Sequence, residues 1–227
     1  MGKASKASYA DQTDIFDPAR FTWPVHVIGL GGIGSSLVLP LVKLGLRTEL
    51  HLWDDDELIE PHNIPAQLVY RRSDIGKAKA PTMVEILEPY CEPQCQLVPH
   101  AEKVTSETPL SGIVISGVDS MASRQAIWEA IKLNFEVPLY IDGRIGGEQI
   151  QLFTVDPSDL DASELYEEGW LFPDEDGAEL PCAARTVIGP PVVLAGMIIT
   201  QLTRFARNLP TQRYVDMHVR ESQLIAF

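Results

Sequence analysis

The run Gly29-Leu30-Gly31-Gly32-Ile33-Gly34 is the part of the sequence whose residue types most directly suggest chemistry. Glycines let a chain turn tightly, and they let backbone N–H groups approach an anion at the N-terminus of a helix. Loops of this type bind NAD, FAD, S-adenosylmethionine or ATP. A tight turn without a ligand has the same pattern, so the run predicts a nucleotide site without selecting the nucleotide.

A cluster of acidic residues at 54–57, Asp-Asp-Asp-Glu, follows the glycine run by about twenty residues. A carboxylate at the end of the second strand of a nucleotide-binding unit accepts hydrogen bonds from ribose hydroxyls. A solvated turn is the alternative interpretation of such a charge run. The spacing and the preceding strand pattern favour the ribose role.

Both motifs need two strands and a helix to bring them together. VHVIGL at 25–30 is short, apolar and β-branched, which indicates a buried parallel strand. Residues 34–45 carry leucines on one helical face and end in glycine, and TELHLWD at 48–54 predicts the second strand. This is the first βαβ unit of a Rossmann-like fold, with a right-handed crossover.

The rest of the chain continues the alternation of strands and helices. Further strands are predicted at 96–100, 112–119, 138–143 and 148–156, helices at 74–89, 121–135 and 192–206, and one or two strands within 213–226. The alternating pattern of 148–156 indicates an antiparallel strand. The predicted class is therefore α/β: a mostly parallel Rossmann-like sheet with helices on both faces and an antiparallel C-terminal extension.

The predicted organisation is a single domain. Residues 1–20 form a polar N-terminal segment, residues 21–227 form the domain, and residues 157–181 form an acidic, loop-like excursion within it. A chain of 227 residues is long enough to bury one large core.

Composition excludes several classes of partner. The formal net charge of -14 argues against a nucleic acid, whose phosphates need clustered cations. No apolar run reaches the length that spans a membrane, and the N-terminus lacks an apolar signal core. Three cysteines without a regular framework are typical of a reduced compartment, and Cys91 and Cys95 lack a second ligand pair for zinc. We therefore expect a cytoplasmic protein.

The residues after the glycine run are more specific than a general nucleotide fold. Besides the acidic cluster they include Glu60-Pro61-His62-Asn63, then Gln67, then Asp74-Ile75-Gly76-Lys77-Ala78-Lys79, and later Asp119 after a strand. In this order they resemble the ThiF/MoeB/HesA superfamily, which includes the ubiquitin-activating enzymes. The resemblance covers roughly residues 11–208 and is most specific over 25–80. The opening segment also resembles short bacterial and phage ThiF-like proteins.

The resemblance implies an ATP-dependent adenylyltransferase that uses Mg²⁺. Such an enzyme converts the C-terminal carboxylate of a ubiquitin-like protein, a sulfur-carrier protein or a peptide into an acyl-adenylate, and family members are commonly homodimers. Adenylation needs fixed cations around a phosphorus that gathers negative charge. A carboxylate nucleophile needs little activation, so positioning supplies most of the catalysis.

The family's functional positions fall on named residues of this sequence. The resemblance implies phosphate or nucleotide binding by Gly29, Gly31, Gly32, Gly34, Asn63, Gln67 and Lys79, and an acid near Mg²⁺ and the α-phosphate at Asp119. Counting back from Asn63 selects Asp55 as the ribose acid, whereas counting from the strand end selects Asp54. We favour Asp55, with a one-residue bulge as the alternative.

One family position departs from the pattern. The arginine that precedes the glutamine in the family, and that contacts the triphosphate, is Ala66 here. Arg71 and Arg72 downstream, or Arg20 from a second copy of the chain, are the candidate replacements. This substitution places full catalytic competence in question.

Cys182 lies where the family carries the cysteine that takes the acyl group or sulfur. A thiolate there would attack the adenylate carbonyl, and Arg185 would favour the thiolate. The alternative is a small buried apolar residue.

Two other functions remain open at this stage. An NAD-dependent oxidoreductase shares the glycine run and the acid, but it does not need Asn63, Gln67 and Lys79 at these spacings. A non-catalytic ThiF-like module, kept as a nucleotide-binding partner subunit, is consistent with Ala66 and with the short chain.

Overall fold

The computed structural model describes residues 7–172 and 187–226. One sheet of eight strands runs through these residues, in the order β3-β2-β1-β4-β5-β6-β7-β8. The strands are β1 (Val25–Ile28), β2 (Glu49–Trp53), β3 (Gln96–His100), β4 (Ile113–Ser116), β5 (Leu139–Gly146), β6 (Gln149–Val155), β7 (Tyr214–His218) and β8 (Gln223–Ala226). The helices are α1 (Gly32–Lys43), α2 (Lys79–Leu87), α3 (Met121–Ile131), α4 (Leu160–Trp170) and α5 (Gly189–Ala206).

The first five strands are parallel to one another. Every residue of β1 and β4 is buried, as expected for strands covered on both faces. Parallel neighbours need a crossover, and α1 and α3 provide it after β1 and β4. The Rossmann-like half predicted from the sequence is therefore confirmed.

The last three strands are antiparallel, which confirms the predicted C-terminal extension. The change of direction occurs between β5 and β6, where Gly147 adopts a φ of 63° in the turn. Glycine enters this left-handed conformation without steric cost. β5 is the longest strand and continues past the end of β4, so it belongs to both halves of the sheet.

Two apolar cores lie on the two faces of the sheet. Helices α1, α2 and α5 cover one face with residues such as Leu37, Met83 and Ile198. Helices α3 and α4 cover the other with residues such as Trp128 and Tyr166, both fully buried. Full burial of a large apolar side chain contributes about 1.5–3 kcal/mol, so the helices packed on both faces stabilise the central strands of the sheet.

The excursion predicted at 157–181 is not a loop where the structure describes it. Residues 160–170 form α4, whose N-terminus is capped by the Asp159 carboxylate. Ala162, Tyr166 and Trp170, four residues apart, turn one face toward the sheet. The acidic composition of this segment masked the apolar residues that recur every four positions. The prediction of a loop was wrong for these residues.

Helix starts also differ from the predicted ones. α1 begins at Gly32 rather than Gly34, and α2 begins at Lys79 rather than near Asp74. Gly76 has a φ of 86° and Ala78 is extended, so the chain cannot continue as an α-helix from the predicted start near Asp74 to the observed start at Lys79. This delay makes Lys79 the first helical residue of α2.

The described part of the N-terminal segment packs on the domain. Phe16 is buried in the larger core, and the Gln12 amide donates to the Leu44 carbonyl at 2.8 Å. The boundary at residue 20 stays a prediction. In the described ranges, no helix combines the length and apolarity needed to cross a bilayer.

Candidate functional site

A crevice opens at the carboxyl ends of β1, β2 and β4. Strand β1 pairs with β2 on one side and with β4 on the other, so the loops after β1 and β4 leave the sheet toward opposite faces. In open α/β sheets such a switch point is where ligands bind. The crevice has an apolar side formed by Val104, Val118 and Ile127, and an acidic side formed by Asp54 and Asp55.

The glycines of the first loop divide into two groups. A Cβ at Gly34 would lie 2.0 Å from the Gly29 carbonyl oxygen, and Gly29 has a φ of 89° and faces Gly117. Gly31 differs, because the nearest atom to a Cβ there is the Gln67 amide nitrogen at 4.0 Å. Gly29 and Gly34 are therefore required for packing, whereas the space beside Gly31 admits a ligand.

Asp54 and Asp55 have different surroundings. One Asp54 oxygen accepts the Leu30 N–H of the glycine loop at 2.6 Å, and the other accepts the Asp56 N–H at 3.0 Å. Burial raises the pKa of Asp54, while nearby Lys79 acts in the opposite direction. Asp55 is exposed at the crevice.

Lys79 is brought to the acidic side of the crevice by the first turn of α2. Its side chain is only 5% exposed, and its ammonium group pairs with Asp56 and lies 3.8 Å from an Asp54 oxygen. Asp56 itself is 62% exposed. The lysine is thus nearly buried, while its closer carboxylate partner, Asp56, is mostly exposed to water.

Asn63 and Gln67 are both buried in the segment that covers the glycine loop. The Asn63 Oδ1 accepts the Glu60 N–H at 2.8 Å and thereby closes a 3-10 turn. The Gln67 Oε1 has no hydrogen-bond partner among the described residues. The atom of this amide that lies near Gly31 is Nε2, 4.0 Å from where a Cβ would be, so a hydrogen-bond donor borders that space.

Asp119 follows the crevice-lining Val118 directly and is exposed. Gly117, two residues earlier, contacts Gly29, so the loop after β4 meets the loop after β1. The sequence-predicted acid therefore lies at the mouth of the crevice, on the opposite loop from Asp54.

None of the three arginines considered as replacements for the missing one is buried at the crevice. Arg71 is exposed and pairs with Asp74 at 3.3 Å, and Arg72 and Arg20 are also exposed. Ala66 is half-buried in the segment before Gln67. Cys182 and Arg185 lie outside the described residues.

A buried charged cluster beside the crevice was not predicted from the sequence. Asp142 on β5 is fully buried and accepts hydrogen bonds from Arg124 at 3.0 Å, Arg144 at 2.7 Å and Tyr166 at 2.9 Å. Burial and the nearby Asp142 charge both raise the pKa of Tyr166 well above its usual range, so the phenol remains a donor. One sequence signal exists: Arg124 shares the helical face of Ile127 and Ile131.

The residues at the crevice fit a nucleotide triphosphate with Mg²⁺. Open space beside Gly31, the Gln67 amide N–H group next to it and a fixed ammonium suit phosphates, and the apolar side suits a base. No group of three or more metal-ligating side chains occurs in residues 7–172 and 187–226. Mg²⁺ typically takes one or two carboxylates together with substrate phosphates and water. Asp119 can provide one such carboxylate.

The sequence of the chain is similar to sequences of known proteins. Residues 20–224 match the sequence model described as the ThiF family. The chain is 29% identical over 183 residues to the sulfur carrier protein ThiS adenylyltransferase of Escherichia coli, covering 77% of this chain and 68% of that protein. It is 30% identical over 130 residues to the Drosophila melanogaster Nedd8-activating enzyme E1 catalytic subunit, covering 56% and 28%.

Solved structures show the same fold. The chain superimposes with a TM-score of 0.70 on PaaA, at 16% identity, covering 92% of this chain and 64% of that one. It superimposes with a TM-score of 0.69 on Escherichia coli MccB solved with AMPCPP and MccA, at 15% identity, covering 90% and 63%. The chain thus spans slightly less than two thirds of the length of these structures.

Proposed function

The chain belongs to the ThiF family, and on that basis we propose that it is an ATP-dependent adenylyltransferase for a carboxylate. The observation that carries this proposal is the ammonium of Lys79, which α2 holds beside the acids at the crevice. A nearly buried, prepositioned cation is what a phosphoryl centre of growing negative charge requires.

The proposed reaction balances without any redox partner. A carboxylate oxygen of the acceptor attacks the α-phosphorus of ATP, and the bond from that phosphorus to the bridging oxygen of the β-phosphate breaks. The products are an acyl-adenylate and pyrophosphate. The described residues do not need to move a proton in this step, because the nucleophile is already an anion at neutral pH.

We assign each crevice residue a role in that step. Backbone N–H groups around Gly31 and the start of α1 bind phosphate oxygens. Asp54 is the preferred ribose acid over Asp55, because its carboxylate is fixed against the glycine loop. Lys79 exchanges its partner Asp56 for phosphate oxygens when the nucleotide binds.

Asn63 and Gln67 complete the phosphate side of the proposed site. Asn63 fixes the turn that brings the Gln67 amide beside Gly31. Asp119 would hold Mg²⁺, which would supply charge neutralisation for the departing pyrophosphate.

The acceptor is proposed to be a ubiquitin-like or sulfur-carrier protein, or a peptide with a free C-terminus. Relatives of this chain carry the names of ThiS and Nedd8 activators, and MccB was solved with MccA. We further propose that the acyl group is later transferred to Cys182, with loss of AMP. We also propose a homodimer, in which the second copy supplies Arg20 in place of the arginine that Ala66 replaces.

ATP–pyrophosphate exchange in the presence of a candidate acceptor tests the proposal. Lys79→Ala and Asp119→Ala should each lower exchange by at least about a hundredfold, because each removes a charge at the reacting phosphates. Lys77→Ala is the matched control, since Lys77 is exposed and pairs with Asp74 and Glu85. Wild-type exchange rates in both site variants would reject the assignment.

A non-catalytic nucleotide-binding module is the second candidate, and Ala66 favours it. This module would show a rise in melting temperature with ATP and Mg²⁺ but no exchange with any acceptor. A rise with NAD instead of ATP would point to an oxidoreductase and contradict both candidates.

A further inference from the structure

Arg124 makes contacts that bracket the acid of the β4–α3 loop. Its guanidinium donates to the carbonyl oxygen of Val118 and, at 3.3 Å, to that of Ser120. These are the residues immediately before and after Asp119. The Arg124 side chain is 6% exposed, and Asp142 accepts its Nε at 3.0 Å.

Arg144 provides an internal comparison, because it pairs with the same carboxylate. It is also buried, although slightly more exposed than Arg124, and its Nε donates to the other Asp142 oxygen at 2.7 Å. Its remaining donors reach the Trp170 carbonyl at 2.8 Å and the Tyr166 hydroxyl at 3.4 Å, at the α4 side of the cluster. Two arginines therefore share one anchor, and only Arg124 touches the loop of Asp119.

The planar guanidinium explains why arginine occupies this position. A single side chain must donate in one direction to Asp142 and in others to two loop carbonyls and the Gly143 carbonyl. Arginine offers five donors in a rigid fork, whereas lysine offers a point charge on a flexible stem. Lysine at this position would keep the charge near Asp142 but could not hold both carbonyls.

We propose that Arg124 is a positioning residue that fixes the Asp119 carboxylate toward the metal–nucleotide complex. Asp142 anchors it, and its fork sets the backbone on both sides of Asp119. The part of this inference that concerns the metal rests on the proposed adenylyltransferase function. The part that concerns the loop does not.

Arg124→Lys and Arg144→Lys, made in the full chain, test the inference in two ways. The first is hydrogen–deuterium exchange of peptides covering residues 116–124 and 165–172. Arg124→Lys should speed exchange in the first peptide, and Arg144→Lys in the second. The second is the Mg²⁺ concentration for half-maximal pyrophosphate exchange, which should rise about tenfold or more only in Arg124→Lys, with the KM for ATP nearly unchanged.

Melting temperatures separate positioning from general instability. Both variants should lose a similar amount of stability, since both keep a charge beside Asp142. Unchanged amide exchange over 116–124 in Arg124→Lys, or an equal Mg²⁺ requirement in the two variants, would overturn the inference. If the wild-type chain gives no pyrophosphate exchange, the proposed function fails, and the amide exchange alone decides whether Arg124 holds the loop.

Discussion

Two carboxylates near the end of the parallel sheet, Asp54 and Asp142, face cations in very different settings. Asp54 lies at the crevice beside Lys79, and this lysine takes a second partner, Asp56, whose side chain is mostly exposed. Asp142 is fully enclosed, and all of its partners are nearly buried. One carboxylate of the first group is open to solvent and is the one that our proposal exchanges for phosphate, whereas every member of the second group is enclosed.

This difference assigns different work to the two clusters. An enclosed ion cluster adds little net stability relative to an apolar core, but removing one member leaves an uncompensated buried charge. It therefore serves to fix geometry. The open cluster keeps a cation in place with a mostly exposed counterion, which suits the proposed binding of an anionic ligand.

The largest effect is expected from removing the enclosed anchor. Asp142→Ala should lower the free energy of unfolding by about 3–5 kcal/mol, because two buried arginines lose their counter-charge. That is a large share of the roughly 5–15 kcal/mol typical of a domain. Urea denaturation followed by circular dichroism measures the change.

Lys132→Ala is the control for a pair at the surface. Lys132 pairs with Glu167 where both side chains are partly exposed, and its loss should leave the denaturation midpoint almost unchanged. Equal midpoints for Asp142→Ala and the wild type would mean that the enclosed cluster does not fix this part of the fold.

The open cluster was largely visible in the sequence, and the enclosed one was not. Gly31 and the acids at 54–57 stand in local patterns, just before a helix and just after a strand, and the family resemblance added Lys79. Asp142 and Arg124 lie eighteen residues apart, and their contact depends on β5 pairing beside β4. Periodicity along one element cannot reveal a contact made between elements.

The second prediction separates two glycines of the same loop. Gly34→Ala should cost about 1–3 kcal/mol of stability or more, because its Cβ would meet the Gly29 carbonyl oxygen at 2.0 Å. Gly31→Ala should leave stability close to wild type, because only the Gln67 amide lies near, but it should weaken ATP binding. Thermal unfolding with and without ATP and Mg²⁺ measures both effects.

The contrast between these glycines would fail if both variants lost the same stability and kept the same response to ATP. Sequence patterns alone treat the four glycines of the run as one motif. The structure distinguishes them, because Gly34 faces the turn of the chain and Gly31 faces open space. The role of each glycine depends on the path of the loop, and the spacing of residues in the sequence does not give that path.

The choice between Asp54 and Asp55 illustrates a second limit of counting. Counting back from Asn63 with the family spacing selects Asp55, whereas counting forward from the strand end selects Asp54. The segment between the strand and Asn63 is therefore one residue longer than the family spacing. Asp54 lies directly after β2 and accepts the Leu30 N–H, and with Asp54 as the proposed ribose acid the extra residue falls in the exposed loop that follows. Insertions in exposed loops are tolerated, and they shift any count that crosses them.

The smallest expected effect concerns pH and a third set of side chains, on β1, β2 and β3. His26 stacks on His51 at 4.3 Å and accepts the Trp53 indole N–H at 3.1 Å. Burial lowers the pKa of His26 to about 3, so the folded chain keeps it neutral, whereas an unfolded chain protonates it near the ordinary pKa of about 6.5.

The unfolded state therefore binds an extra proton below about pH 6.5, and stability falls as pH drops from there toward 3. The loss should be at most about 1.4 kcal/mol per pH unit for this histidine. Urea midpoints at about pH 7 and about pH 5.5 measure it. His26→Gln should reduce the slope because an amide does not titrate, and its oxygen can still accept the Trp53 indole N–H. His62→Gln, at an exposed position, is the matched control. A slope that persisted unchanged in His26→Gln would have to come from groups outside the β1–β2 stack, such as His100, whose pKa burial also lowers.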